Sequence, residues 1–143
     1  MTGKLEPAEK AFKHCLKLNS RYEPALFNLA KVYQMQKKWG ESSQQFNVFL
    51  EVTGPNPSAY AQIGFNFNKQ SDWKNAQTIL EKSALLQPDN VDTKIYLAEA
   101  LANLGHKEKA REHLKTALNP NPAQSAAINK MMLSLTRSQN ITP

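Results

Sequence analysis

Few side chains in this sequence have the types and spacing that chemistry demands. His106 and His113 come nearest to a metal pair, but seven residues along one helical segment set them about two turns apart, ~10 Å along the axis. A metal site draws closer and more numerous ligands, so they read as turn and helix histidines. Cys15 is the single cysteine and excludes an internal disulfide. Asn140-Ile141-Thr142 fits a glycosylation acceptor, but without an export signal it reads as chance. The sequence has no glycine-rich phosphate loop, no His-Glu-x-x-His, no Gly-x-Ser-x-Gly and no cysteine pair. These features point away from an enzyme and from any cofactor.

Charge gives a second class to weigh. The net charge is +6 over 143 residues, and residues 1–38 hold eight Lys or Arg against three acids. Lys4, Lys10, Lys13, Lys17 and Arg21 are spaced around a helix among Glu6, Glu9 and Glu23. That pattern is a solvated face; nucleic-acid binding calls for a dense basic stripe. No apolar run approaches the length of a membrane span. The N-terminus lacks the apolar core of a secretory signal, which favours the cytoplasm without assigning a compartment.

The elements that position these residues follow from one repeat. Gly105, Ala110, Leu114, Ala117 and Pro122 have counterparts 34 residues earlier at Ser71, Ala76, Leu80, Ser83 and Pro88. A further step of 34 reaches Lys37, Ser42, Phe46, Phe49 and Gly54, and one more reaches Gly3, Ala8, Phe12, Cys15 and Ser20. A fixed period of this length marks a solenoid whose units are stable only when stacked. Within a period, Tyr60, Ile63, Gly64 and Phe67 form one helix face and Trp73, Ala76, Ile79, Leu80 and Ser83 a second. Gln87-Pro88-Asp89 closes the pair. Small residues at Ala30, Gly64 and Ala98, and at Ala8, Ser42, Ala76 and Ala110, admit large partners opposite. Cys15 takes the place of Ser83 and Ala117 and reads as a buried small residue; Trp39 and Trp73 read as core wedges.

These residues resemble the tetratricopeptide repeat family. Residues 57–90 match its pattern as Tyr60, Ile63, Gly64, Phe67, Ala76, Leu80, Ser83 and Pro88. Residues 23–56 and 91–124 match through Leu26, Leu29, Ala30, Tyr33, Ser42 and Phe46, and through Leu97, Ala98, Leu101, Ala110, Leu114, Ala117 and Pro122. The resemblance implies an all-α, right-handed superhelical solenoid of antiparallel helix pairs, about eight helices in all. Residues 1–22 hold the second helix of a truncated repeat, 125–138 a capping helix and 139–143 a tail. Lys94 and Phe49 depart from the pattern, where it prefers an apolar residue and an alanine.

In this family the first helix of each pair lines a concave groove, and the fold serves as an adaptor or scaffold for a peptide segment of a partner protein. The positions so implied are Phe27, Asn28 and Lys31 in the first repeat, Gln62, Phe65 and Lys69 in the second, and Ile95, Tyr96 and Glu99 in the third. Phe27, Phe65, Ile95 and Tyr96 would supply apolar anchors, and Asn28 and Gln62 would hold a peptide backbone. The lysine and asparagine clamp that some members use on acidic chaperone tails is matched only by the amide of Gln62, which disfavours that role. Two other readings stay open: self-assembly through the uncovered N-terminal helix, and a docking segment of a longer enzyme.

Overall fold

The computed structural model describes residues 2–140, and among them it contains eight α-helices: α1 (Leu5–Leu18), α2 (Glu23–Met35), α3 (Trp39–Thr53), α4 (Pro57–Lys69), α5 (Trp73–Leu86), α6 (Val91–Asn103), α7 (Lys107–Lys115) and α8 (Pro122–Asn140). A short 3-10 turn, Thr2–Lys4, precedes α1. Local chemistry sets the helix starts. Asn56 Oδ1 accepts from Ala59 N at 2.9 Å ahead of α4, and Asn90 Oδ1 accepts from Thr93 N at 3.0 Å ahead of α6. Asn121 and Gln124 bond reciprocally ahead of α8, at 2.8 and 2.9 Å, and satisfy donors that a helix start leaves open.

The turns inside each pair are alike. Lys37, Ser71 and Gly105 all have positive φ, at 61, 58 and 90°. After each, a backbone amide reaches back into the first helix: Lys38 to Tyr33 O, Asp72 to Phe67 O and His106 to Leu101 O, each at 2.8 Å. This left-handed residue at a helix end reverses the chain in a tight turn.

Each first helix packs against its own second helix, and each second helix packs against the next first helix. Side chains on α4 also meet α6, and α6 meets α8, whereas the second helices make no comparable contact with one another. From α4 onward the stack is therefore closed on the side of the first helices and open on the other, in keeping with a superhelical solenoid. α4 and α5 approach closely at Gly64, where an added methyl group would collide with the buried side chain of Leu80.

Two clusters form the core. The N-terminal one is built on Leu26, Ala30, Phe46, Phe49 and Ile63. The C-terminal one is built on Leu80, Leu97, Leu101 and Leu114 with Leu135 of α8. Arg111 is buried between α7 and α8, pairs with Glu108, and donates to Leu135 O at 3.0 Å. Among the described residues, α1 has α2 on one side and no further α-helix on the other, and none of its residues is buried. Cys15 is half-buried for that reason, not the enclosed residue its register suggests. Trp73 packs on the C-terminal cluster, while Trp39 lies edge-on to Phe65, with ring centres 6.0 Å apart. Residues 141–143, and with them most of the Asn140-Ile141-Thr142 acceptor sequence, lie outside the described residues.

Candidate functional site on the inner wall

The nine groove positions fall into three groups. Lys31, Gln62, Phe65, Tyr96 and Glu99 come together, half-buried, on adjoining faces of α2, α4 and α6. Asn28 and Lys69 are exposed. Ile95 is buried, contrary to the sequence-based expectation, and Phe27 is half-buried with its ring against the core. The Phe27 ring packs edge-to-face on Phe46 and Phe49, centres 5.2 and 5.3 Å away; a phenylalanine where the family pattern prefers alanine draws it into the core. Ile95 is only 7% exposed and belongs to the C-terminal cluster.

At the α2–α4 end the wall is polar. Lys31 Nζ donates to Gln62 Oε1 at 3.3 Å, and Gln34 Nε2 donates to the same oxygen at 3.1 Å and to Asn66 Oδ1 at 2.9 Å. Asn66 Nδ2 donates in turn to Ser42 Oγ at 3.0 Å, and Ser42 Oγ donates to Ala30 O at 2.8 Å. An unbroken chain of hydrogen bonds thus runs from the core to the wall. Gln34 and Asn66 were absent from the sequence-derived positions; the available signal was an amide pair, Asn66 and Asn68, alternating with Phe65 and Phe67.

At the α4–α6 end the wall is aromatic. The rings of Phe65 and Tyr96 lie 5.2 Å apart, and Lys69 Nζ sits 5.4 Å from the centre of the Phe65 ring, within the range of a cation–π attraction. Asn68 Nδ2 donates to Tyr96 O at 2.9 Å and to Glu99 Oε2 at 3.4 Å. Its buried Oδ1 accepts no hydrogen bond from the described residues.

Burial tunes the charged groups. It pushes the Lys31 ammonium down, with Asp92 opposing, and pushes the Glu99 carboxyl up, with Lys69 and Asn68 opposing. Burial, helped by Asp92 and Glu99, raises the Tyr96 phenol to about 12, so it remains a hydrogen-bond donor throughout the physiological range. Among the described residues no three His, Cys, Asp or Glu side chains lie close enough to hold a metal ion, and no helix is long and apolar enough to cross a membrane.

Residues 68–133 match the sequence model of the tetratricopeptide repeat. Of curated proteins, the BBSome complex member BBS4 of Bos taurus is 26% identical over 128 residues, covering 90% of this chain, and anaphase-promoting complex subunit 6 of Dictyostelium discoideum is 27% identical over 81 residues, covering 57%. The chain spans only 24% and 9% of those two proteins. Of solved structures, the thermophilic TPR protein TTC0263 of Thermus thermophilus superposes with a TM-score of 0.78 at 19% identity, over 95% of this chain and 77% of that one. MamA gives 0.76 at 16% identity, over 97% and 92%. The Yersinia enterocolitica secretion chaperone SycD, in complex with a peptide of the translocator YopD, gives 0.70 at 15%, over 80% and 92%. The 34-residue register, the paired helices and the match of residues 68–133 to that sequence model agree, and the chain has the tetratricopeptide repeat fold.

Proposed function

We propose that this chain is a non-enzymatic adaptor that holds an extended or helical segment of a partner protein along the wall of α2, α4 and α6. The observation that carries this reading is the juxtaposition of Phe65 and Tyr96, at 5.2 Å, with the Lys31–Gln62 pair. Aromatic rings that keep part of their surface exposed anchor interfaces, and the amide and ammonium groups beside them supply backbone contacts. The three repeats are residues 23–56, 57–90 and 91–124, with 1–22 as a half-repeat and 125–138 as the cap. The YopD peptide complex of SycD, a protein of the same fold, supports peptide binding as a use of such a stack. Because the chain spans a small part of its curated relatives, a docking segment within a longer protein fits the same surface.

The test is selection of binders from a random-peptide display library, followed by titration calorimetry of each binder against the native chain and Phe65→Ser/Tyr96→Ser. Losses of roughly tenfold or more with retained helicity support the inner wall. Equal affinity for both chains overturns it. A second reading, self-association through α1, rests on Phe12, which is half-buried where its counterparts Phe46, Leu80 and Leu114 are buried. Sedimentation that depends on concentration, and becomes independent of it in Phe12→Ser, would favour that reading.

A further inference from the structure

The outer side of the stack differs sharply between two units that share one register. In the unit α3–α4–α5, the side chains of Leu50, Tyr60 and Ile79 are half-buried. Leu50 and Ile79 pack on the N-terminal cluster, and the hollow beside Tyr60 measures about 220 Å³. Thirty-four residues on, those places are taken by Ala84, Lys94 and His113. Three large apolar groups have become one small and two polar ones. A trough of about 870 Å³ opens between α5 and α7, with Ala84 and Leu97 at its base. It adjoins a hollow of about 420 Å³ that shares Ala84, Leu97 and His113 and has Leu85 at its rim, 83% exposed.

The charge around this trough is mixed, with three lysines against two glutamates. Lys94, Lys109 and Lys115 line it against Glu112, with Glu81 in the adjoining hollow. Lys94 is held at the end of α7, where Nζ donates to Thr116 Oγ1 at 2.8 Å and to Thr116 O at 3.1 Å. α7 stops after nine residues, against 14 in α5, so one end of the trough is left open. His113 is held below its usual range by burial and by Lys94, against Glu112 and Glu81, and so adds no fixed charge near neutral pH.

We propose that this trough is a second docking site, for a protein segment in which an apolar side chain is flanked by carboxylates. The apolar group would cover Ala84, Leu85 and Leu97, and the carboxylates would meet Lys109 and Lys115. The volume lies within the range of sites that enclose a ligand, roughly 300–1,000 Å³. The excess of lysine over glutamate favours an acidic segment. The apolar base and the two glutamates favour it over a nucleic-acid backbone, which needs cations alone. The proposal is independent of the inner-wall reading, because α5 and α7 take no part in that wall.

The test is a random-peptide display selection on the native chain, counter-selected on Lys109→Glu/Lys115→Glu, with every surviving peptide titrated against three folded variants. Peptides rich in Asp, Glu and apolar residues should bind roughly tenfold more weakly to the charge-reversed chain. They should weaken similarly against Ala84→Leu, which fills the trough and leaves its charge unchanged, and should be indifferent to Phe65→Ser/Tyr96→Ser. Three outcomes overturn the proposal: no acidic peptide survives; survivors ignore Ala84→Leu; or a single-stranded DNA of random sequence competes with them for the native chain. Circular dichroism of each variant separates lost binding from lost fold.

Discussion

The seam between α2 and α4 and the seam between α4 and α6 occupy the same register and are closed by different chemistry. In both, a first-helix amide reaches the next first helix: Gln34 Nε2 approaches Gln62 O at 3.5 Å, and Asn68 Nδ2 meets Tyr96 O at 2.9 Å. Beyond that shared contact the seams diverge. The first continues inward through Asn66 and Ser42, whereas the second has Ala100 where Asn66 would be and relies on the contact between Phe65 and Tyr96. A polar chain works at one separation only, since a buried donor or acceptor without its partner is strongly unfavourable. Apolar contact is more tolerant of sliding. The N-terminal seam is thus held by directional hydrogen bonds, and the C-terminal seam largely by ring contact.

The largest expected effects compare the two cores behind these seams. Phe46 is fully buried and touches the Phe27 ring, so Phe46→Ala should destabilise the fold by about 3–5 kcal/mol. Leu114→Ala, in the C-terminal cluster, should fall at about 2–3 kcal/mol, because the short α7 beside the trough can relax into the space. Urea denaturation of both variants decides the point. Equal losses would erase the contrast between the halves.

Breaking the polar chain comes next. Asn66→Ala leaves the buried Gln34 amide without its 2.9 Å acceptor and removes a donor from Ser42, which should destabilise by about 1–3 kcal/mol. Asn68→Ala should do less, since its Oδ1 has no partner among the described residues to lose. Hydrogen exchange should show faster opening of α2 and α4 in the first variant than in the second.

How much of this was legible beforehand depended on which face a residue served. The 34-residue register located the helix pairs because small and large core residues recur at fixed offsets, and Gly64 against Leu80 shows why they must. The inner wall was harder. Phe27 and Ile95 share a register position with Ala61, which is buried, so that position is a packing seam whatever fills it; the alanine was the clue. Gln34 and Asn66 were missed because polar residues on a helix are assigned to solvent unless a buried partner is visible, and theirs lie 32 and 24 residues away. Lys94 stood out as a departure, but its meaning required Ala84 and His113 beside it.

Titration separates the seams further. Burial raises the Glu99 carboxyl at the α4–α6 seam, so between its ordinary and its raised pKa the folded chain binds more protons than the unfolded chain. Stability from this group therefore falls as pH rises through that window and is restored as pH drops back through it. Glu99→Gln should flatten that slope in a series of pH-dependent denaturation curves, and an unchanged slope would remove Glu99 from the seam's electrostatics. The same sign applies to Tyr96 at high pH. Its phenol, raised to about 12, should ionise above the ordinary tyrosine range in an absorbance titration.

The smallest effect concerns the turns that set every pair at the same angle, where the two halves ought to be alike. Ser71 adopts φ 58° and Gly105 adopts φ 90° at equivalent places. A side chain in the left-handed region is disfavoured by roughly 1–2 kcal/mol, while a glycine gives the unfolded chain extra freedom of about 0.5–1 kcal/mol. Ser71→Gly should therefore stabilise by a net ~0.5–1 kcal/mol, and Gly105→Ala should destabilise, since φ 90° with an added Cβ is strained even where space is open. Opposite shifts in melting temperature would show that the turns are interchangeable and that the difference between the halves resides in the seams. A Ser71→Gly variant that loses stability would place a constraint in the α4–α5 turn that backbone geometry alone does not contain.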